Sequence, residues 1–157
     1  MIKRNVFENP GWYTSYTPYQ PEIAQGRLEA LMNYQTMVSD LTGMDISNAS
    51  LLDEPTSAAE AMMLAKRVAK SKSNTFFVNS KTFKQTIAII KSRAKPLGVE
   101  IEIGDRPDKG KEYFAAYFQY PNAEGSIEDL ESVTKDIQAK GGPVSYTHLT
   151  LPTSTLV

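Results

Sequence analysis

Apolar residues recur every three or four positions along four stretches of this chain, the spacing that places them on one face of an α-helix. We predict helices over Glu22–Thr42, from Pro55 to about Ser71, over Lys81–Ala94 and from Ser126 to Lys140. Proline is well suited to a first helical position, which supports the second of these starts. The spacing of Ser126 and Asp129 is that of a capping box, which supports the fourth.

Three shorter stretches are apolar throughout or alternate apolar with polar positions, as β-strands do. They are Thr75–Val78, Val99–Ile103 and Tyr113–Tyr120. Because these strands alternate with the predicted helices, we expect an α/β domain with a mainly parallel sheet over residues 22–142.

Upstream of the first helix the pattern changes to aromatic residues and proline. The segment Asn9–Gln25 contains one Trp, three Tyr and three Pro. Proline fixes φ and removes backbone donors, so we predict an extended arm over residues 1–21 that presents its tyrosines along a fixed path. Such an arm either packs against its own domain or a partner chain, or lines a ligand pocket. Composition alone favours packing.

The bulk composition excludes several classes of partner. Lys and Arg total 17 against 18 Asp and Glu, a formal net charge of −1, so charge gives no argument for nucleic acid or an anionic membrane. The chain has no Cys, which excludes disulfides and thiolate metal sites and fits a reducing compartment. No apolar run approaches the roughly 20 residues of a membrane helix. We expect a cytoplasmic protein that binds neither nucleic acid nor membrane.

Short catalytic motifs are absent from the sequence. It contains no GxGxxG, GxxxxGK, HExxH or GxSxG, so nucleotide, zinc and serine-hydrolase sites have no support. The single histidine, His148, stands alone. From the residues themselves we assign no catalytic residue, no cofactor ligand and no metal ligand.

Longer strings carry a resemblance that no short motif provides. NPGWYTSYTPYQPEIAQGRLEALMNYQTMVSDLTGM, NASLLDEPTSAAEAM, FFVNSKTFKQTIAIIKSRAKPLGVEIEIGD and FQYPNAEG closely resemble the amino-terminal half of the P-protein family of the glycine cleavage system, glycine dehydrogenase (decarboxylating). The resemblance runs from about Ile2 to Gly142. It implies part of the large domain of a pyridoxal-phosphate-dependent transferase of the type I aminotransferase-like α/β class, preceded by the arm and a long helix.

The resemblance also implies a reaction. Enzymes of this family use pyridoxal phosphate to decarboxylate glycine and transfer the aminomethyl group to the lipoyl group of H-protein. Their Schiff-base lysine lies in the carboxyl-terminal half, so we expect this fragment to lack it and to be inactive alone. Its partners would be the catalytic half, in the same chain or a second subunit, lipoylated H-protein and glycine.

Within the arm, we predict that Tyr16, Thr17 and Tyr19 line the substrate cleft formed with the catalytic half. Their hydroxyls would position the substrate carboxylate or close the channel of the lipoyl group. The alternative is a cofactor-free scaffold that only dimerises with, and stabilises, a catalytic chain that binds pyridoxal phosphate.

The start of the second helix is where a protein of this fold would cradle a cofactor phosphate. Here it carries Asp53 and Glu54, whose carboxylates repel a phosphate, and Pro55, which lacks a backbone donor. We therefore interpret Thr56 and Ser57 as capping or packing residues and predict no cofactor binding at this position.

The last segment, residues 143–157, reads PVSYTHLTLPTSTLV and departs from the family pattern. PVSYTHL resembles the translated end of a sequencing-library transposon, so we interpret the segment as an artefact. A parallel sheet should receive a buried strand after Gly142. We expect this tail to lack matched partners in the core and the sheet to end in an exposed edge, although VSYTHLTL does alternate like a strand.

Overall fold

The computed structural model describes residues 1–9, 19–49, 51, 53–147 and 155–156. Its backbone contacts divide the chain into two units, Met1–Asn33 and Tyr34–Val157. In the first unit, Lys3–Phe7 form a π-helical turn in which the Glu8 N–H donates to the Lys3 carbonyl. The prediction of an extended arm is therefore wrong for these residues, because the stretch before Pro10 contains no proline to prevent a helical turn. Most of the predicted arm, residues 10–18, lies outside the described residues.

A long helix, α1, runs over Gln25–Thr42. It begins three residues after the predicted start, because Gln20 to Ala24 form a turn in which the Ala24 N–H reaches the carbonyls of Gln20 and Pro21. Gly43 follows the helix with a φ of 70°, the left-handed conformation that glycine adopts at a helix end.

The second unit is built on a sheet of five strands, four of them parallel. The strands are β1 Thr75–Asn79, β2 Glu100–Gly104, β3 Ala115–Gln119, β4 Val144–Thr147 and β5 Thr155–Leu156. Their order across the sheet is β2-β1-β3-β4-β5, and β5 pairs antiparallel with β4. The register pairs Phe76 of β1 with Ala115 of β3. The predicted α/β class with a parallel sheet is confirmed.

Three further helices cover the sheet: α2 Glu54–Val68, α3 Lys84–Ala94 and α4 Glu131–Ala139. One face of the sheet packs against α2 and α3 around Met62, Ile90 and Tyr117. The other face packs against α4 and the end of α1, around Phe118, Ile137 and Val38. Residues of β1 and β3 point alternately into the two cores, which explains why Phe76 and Phe77 are both buried.

Helix α4 begins at Glu131, five residues after its predicted start. The side chain of Ser126 does not cap it, because the Ser126 N–H and hydroxyl both bond to the side chain of Asn122. Asp129 Oδ1 instead accepts the Glu131 N–H at 2.9 Å.

The expectation that the tail lacks partners in the core is wrong for its first residues. Val144–Thr147 pair parallel with β3, in the register Ala116–Val144. Val144 and Tyr146 are buried in the core on the α4 face, and the Tyr146 hydroxyl is hydrogen-bonded to Thr134. The alternation of VSYT and the open edge of β3 are sufficient to explain this pairing. His148 lies outside the described residues.

Candidate functional site

The order of the strands marks one edge of the sheet as the place for a site. The chain goes from β1 to β2 on one side, and then to β3 on the other side of β1. In open parallel sheets, ligands bind beyond the carboxyl ends of the strands at such a point of reversal. In this chain it lies between the segments that follow Asn79 and Gln119.

Buried polar residues concentrate at this edge. Of the nine buried polar or charged residues described, seven end β1 or β3, follow one of these strands, or lie in the first turn of α2 or α3: Glu54, Ser57, Asn79, Thr82, Thr86, Gln119 and Asn122. The first turns of the two helices are joined by a hydrogen bond from Thr86 Oγ1 to Glu54 Oε1 of 3.5 Å. These seven residues form a buried polar layer. Burying polar groups is costly unless they are hydrogen-bonded, so the hydrogen-bond partners of this layer determine what it costs in stability.

Gln119 links β3 to the start of α3. Its Oε1 accepts the Phe83 N–H at 2.8 Å, while its Nε2 has no partner. The hydroxyls of Thr82 and Ser57 are also buried without a partner. Three of the four unpartnered buried polar atoms among the described residues therefore belong to this edge.

The two asparagines, in contrast, are fully engaged. Asn79 Nδ2 donates to the Asp105 carbonyl at 3.0 Å, and its Oδ1 accepts the Lys81 N–H at 2.9 Å. Asn122 Oδ1 accepts the N–H groups of Glu124 and Ser126. These bonds hold the loops after β1 and β3 in place and leave no asparagine group for a ligand.

Lys81 is held by carboxylates on the loop after β3. Its Nζ lies 2.6 Å from Glu128 Oε1 and 3.7 Å from Glu124 Oε2. The hydrogen bond to Glu128 raises the pKa of Lys81 above its ordinary value. A raised pKa keeps the amine protonated, which is the reverse of what a Schiff-base lysine needs.

Little room remains between these side chains. The cavity beside Gln119, Asn122, Ser126 and Glu128 has a volume of about 10 Å³. That is about the minimum for a single water molecule.

Comparison with known proteins identifies the family of this chain. The sequence model of the glycine cleavage system P-protein matches residues 1–153 of the chain. The chain belongs to the P-protein family. The match continues beyond Gly142 into the segment that we had separated as foreign to the family.

The relatives are much longer than this chain. It is 57% identical over 141 residues to glycine dehydrogenase (decarboxylating) of Stutzerimonas stutzeri, which covers 89% of this chain and 15% of the relative. It is 53% identical over 161 residues to the enzyme of the same name from Nostoc, which covers 97% of this chain and 16% of the relative. The chain thus spans about 15% of the length of the curated relatives it matches.

Solved structures agree with the family and the fold. A crystal structure of a glycine decarboxylase (P-protein) in inhibitor-bound form superposes with a TM-score of 0.73 at 28% identity, covering 89% of this chain and 33% of that chain. An O-acetylhomoserine (thiol)-lyase of Campylobacter jejuni, whose structure contains N'-pyridoxyl-lysine-5'-monophosphate, superposes with a TM-score of 0.50 at 12% identity, covering 78% of this chain and 38% of that chain. The second likeness shows the fold alone: a layout used by pyridoxal-phosphate enzymes.

The start of α2 does not fit the phosphate group of pyridoxal phosphate. At the start of α2, Asp53 Oδ1 accepts the Thr56 N–H at 2.7 Å, so a carboxylate occupies the donor that a phosphate would need. Glu54 is buried beside it, so a second carboxylate stands where the phosphate would lie. The interpretation of Thr56 and Ser57 as capping or packing residues agrees with this geometry: Asp53 caps the helix through Thr56, and Ser57 is buried.

Of the three predicted cleft residues, one lies among the described residues. Tyr19 is 84% exposed. Tyr16 and Thr17 lie outside the described residues, so their predicted role stays a prediction. Among the described residues, no group of three or more His, Cys, Asp or Glu is placed to hold a metal, and no helix is long and apolar enough to cross a membrane.

Sequence reasoning missed the buried polar layer. Gln119 and Thr82 received no role, although each stands at or just after the end of a predicted strand. A polar residue at the carboxyl end of an apolar parallel strand is the signal that would have found them.

Proposed function

We propose that this chain is the amino-terminal portion of a glycine dehydrogenase (decarboxylating). The complete enzyme would decarboxylate glycine and transfer its aminomethyl group to the lipoyl group of H-protein. The observation that carries the proposal is the family match over residues 1–153, at more than half identity to relatives of that name.

Within that enzyme, we assign this portion a supporting role beside the catalytic half. Pyridoxal phosphate would be held by a lysine outside this chain. The carboxylates at the start of α2 support this division. The raised pKa of Lys81, caused first by its hydrogen bond to Glu128, points the same way.

The arm over residues 1–21 would contribute Tyr16, Thr17 and Tyr19 to the cleft between the two halves, and residues 22–142 would form the supporting α/β domain. The exposure of the Tyr19 ring leaves it available for contact with another segment. In the alternative function, a scaffold that only stabilises the catalytic half, the same tyrosines would contribute to assembly and not to turnover. We keep a cytoplasmic location as part of the proposal; it rests on the composition.

A chimaera tests these assignments. Residues 1–142 of this chain would replace the matching segment of the Stutzerimonas stutzeri relative, and glycine decarboxylation would be measured with lipoylated H-protein. We expect an active chimaera. A Tyr16→Phe/Tyr19→Phe variant should lose about tenfold or more in kcat/KM with an unchanged elution volume, since a lost transition-state contact of 1.4 kcal/mol is a factor of about ten.

The matched control is Tyr34→Phe, a tyrosine of α1 that packs against the core. It should leave turnover within about twofold, as expected for a residue outside the cleft. If the double variant weakens assembly and leaves the turnover of the assembled enzyme unchanged, the scaffold function is correct. A chimaera that folds and assembles but does not decarboxylate glycine would contradict the proposal for the chain.

A further inference from the structure

A second cavity lies on the α4 face of the sheet, beside the segment that leads from the carboxyl end of β2 to the amino end of β3. Its volume is about 130 Å³, and its walls are the loop Arg106–Lys111 and helix α4 from Ser132 onward. Tyr113, just before β3, and Lys140, just after α4, complete the lining. The proposed function makes no use of this cavity.

The floor of the cavity is apolar. Tyr113, Val133 and Ile137 line it and are each less than a tenth exposed. The hydroxyl of Tyr113 is fully engaged, since it donates to Glu102 Oε1 at 2.6 Å and accepts the Asp108 N–H at 3.0 Å. The tyrosine therefore presents its ring to the cavity and not its hydroxyl.

The rim of the cavity is predominantly cationic. Four cations, Arg106, Lys109, Lys111 and Lys140, stand against two carboxylates, Asp108 and Asp136. A cavity with an apolar floor and an excess of positive charge at its mouth is complementary to an anion with an apolar body.

Three of the four cations already have partners. Lys140 Nζ donates to the carbonyls of Lys109 and Lys111, which ties the loop to the end of α4. Lys111 Nζ lies 3.0 Å from Glu102 Oε2, and Lys109 Nζ lies 3.8 Å from Asp136 Oδ2. For Arg106 the described part of the chain shows no ion pair, so its guanidinium is the group left for an incoming anion.

We propose that this cavity is a binding site for a small apolar carboxylic acid, whose carboxylate pairs with Arg106 and whose body rests on Tyr113, Val133 and Ile137. A guanidinium binds a carboxylate through two parallel hydrogen bonds, which a lysine does not offer. The volume suits a ligand about the size of one aromatic ring, because an engineered apolar cavity of about 150 Å³ binds benzene.

Benzoate is the probe. The full chain, labelled with ¹⁵N, would be titrated with benzoate, benzamide and benzylammonium while the backbone amide signals are followed. We expect saturable shifts at Val133 and Ile137 with benzoate, and binding at least about fivefold weaker for the neutral amide and the cation, since a charge-assisted bond is about twice as strong as a neutral one. Raising the salt from about 20 to 200 mM should weaken benzoate binding, because the rim is exposed.

Two arginine variants separate this site from general attraction of anions. Arg106→Gln should weaken benzoate binding by about fivefold or more and leave benzamide within about twofold, because only the charged contact is lost. Arg93→Gln, which removes an exposed arginine of α3, should leave benzoate binding unchanged. The proposal is overturned if benzoate causes no saturable shifts, if the three probes bind equally, or if both variants weaken benzoate alike.

Discussion

Lys81 and Glu128 form the shortest ion pair at the carboxyl edge of the sheet, with Nζ and Oε1 2.6 Å apart. The pair joins the loop after β1 to the loop after β3, across the point where a ligand would enter. Glu128 also accepts from Asn122 Nδ2 at 3.1 Å, so the carboxylate is held from two sides. The Lys81 amine is therefore held as one partner of an ion pair between two loops and is not available as a nucleophile.

The first prediction concerns pyridoxal phosphate. We expect the chain to form no stoichiometric Schiff base, because the pKa of Lys81 is raised by its bond to Glu128 and the start of α2 presents carboxylates. The measurement is borohydride reduction after incubation with the aldehyde, followed by peptide mass mapping. Scattered, substoichiometric labelling of surface lysines is the expected pattern. A full equivalent fixed to one lysine of this chain would contradict the prediction.

The second prediction is a pH dependence at Glu102. The hydrogen bond from the Tyr113 hydroxyl, and then Lys111, lower the pKa of this carboxyl below its ordinary 4.5. Because its folded-state pKa lies below the unfolded value, its contribution to stability is present above that value and is lost as the pH falls through the folded pKa. Tyr113→Phe removes the main cause and should flatten the fall in unfolding free energy below about pH 4.5.

The Tyr113→Phe variant should also change the dependence of stability on pH in the alkaline range. Burial, and then the bond to Glu102, raise the pKa of Tyr113 from 10.0 to about 12. A raised folded-state pKa gives stability that is complete below pH 10 and is lost as the pH rises toward 12, so Tyr113→Phe should flatten that fall too. Tyr120→Phe is the control, and urea melts across the two pH ranges are the measurement. Profiles that the Tyr113 variant leaves unchanged would contradict the assignment.

Much of the fold could be predicted from local pattern. The alternation of strands and helices gave the α/β class, and Pro55 marked the start of α2 to within one residue. The sequence failed where a side chain had a competing local partner. Ser126 carries the signature of a helix cap, but the Asn122 side chain accepts its N–H and donates to its hydroxyl oxygen, and no periodicity reveals that choice.

The candidate site was harder to predict, because its members are distant in sequence. Gln119 and Phe83 meet only once β1 and β3 are paired. Likewise, the formation of β4 depends on the free edge of β3, with which its backbone pairs. It does not require that the sequence of β4 evolved for this position. The resemblance identified the family, but the polar layer at the strand ends required the three-dimensional arrangement.

The third prediction concerns the tail, for which an origin outside the natural gene stays our interpretation. Deleting residues 144–157 should destabilise the domain by several kcal/mol, because two buried side chains, Val144 and Tyr146, are lost at about 1.5–3 kcal/mol each. Deleting only residues 148–157 keeps β4 and should cost less than about 1 kcal/mol, since the described part of β5 is two residues long. Urea melts of both truncations are the measurement. Equal stability of the two truncations would show that β4 contributes nothing.

The last prediction compares two buried threonines at the carboxyl edge. Thr82 is 2% exposed and its hydroxyl has no partner, whereas Thr86 is fully buried and its hydroxyl bonds to Glu54 Oε1. Valine has nearly the shape of threonine, so each substitution removes a hydroxyl with little change in packing. Thr82→Val should raise the unfolding free energy by up to about 1 kcal/mol, because an unpaired buried hydroxyl is costly. Thr86→Val should lower it by about 1 kcal/mol, because Glu54 loses a bond.

Chemical denaturation of the two variants beside the native chain gives the measurement. A stabilised Thr82 variant would mean that the edge retains a polar group at a cost to stability, as functional surfaces do. The chimaeric enzyme then provides the second readout. If the hydroxyl of Thr82 contacts the catalytic half, Thr82→Val should lower turnover while raising stability, and Thr86→Val should change stability alone. If Thr82→Val destabilises the chain as much as Thr86→Val does, the hydroxyl of Thr82 has a hydrogen-bond partner such as a water molecule, and this edge needs no contact with the rest of the enzyme.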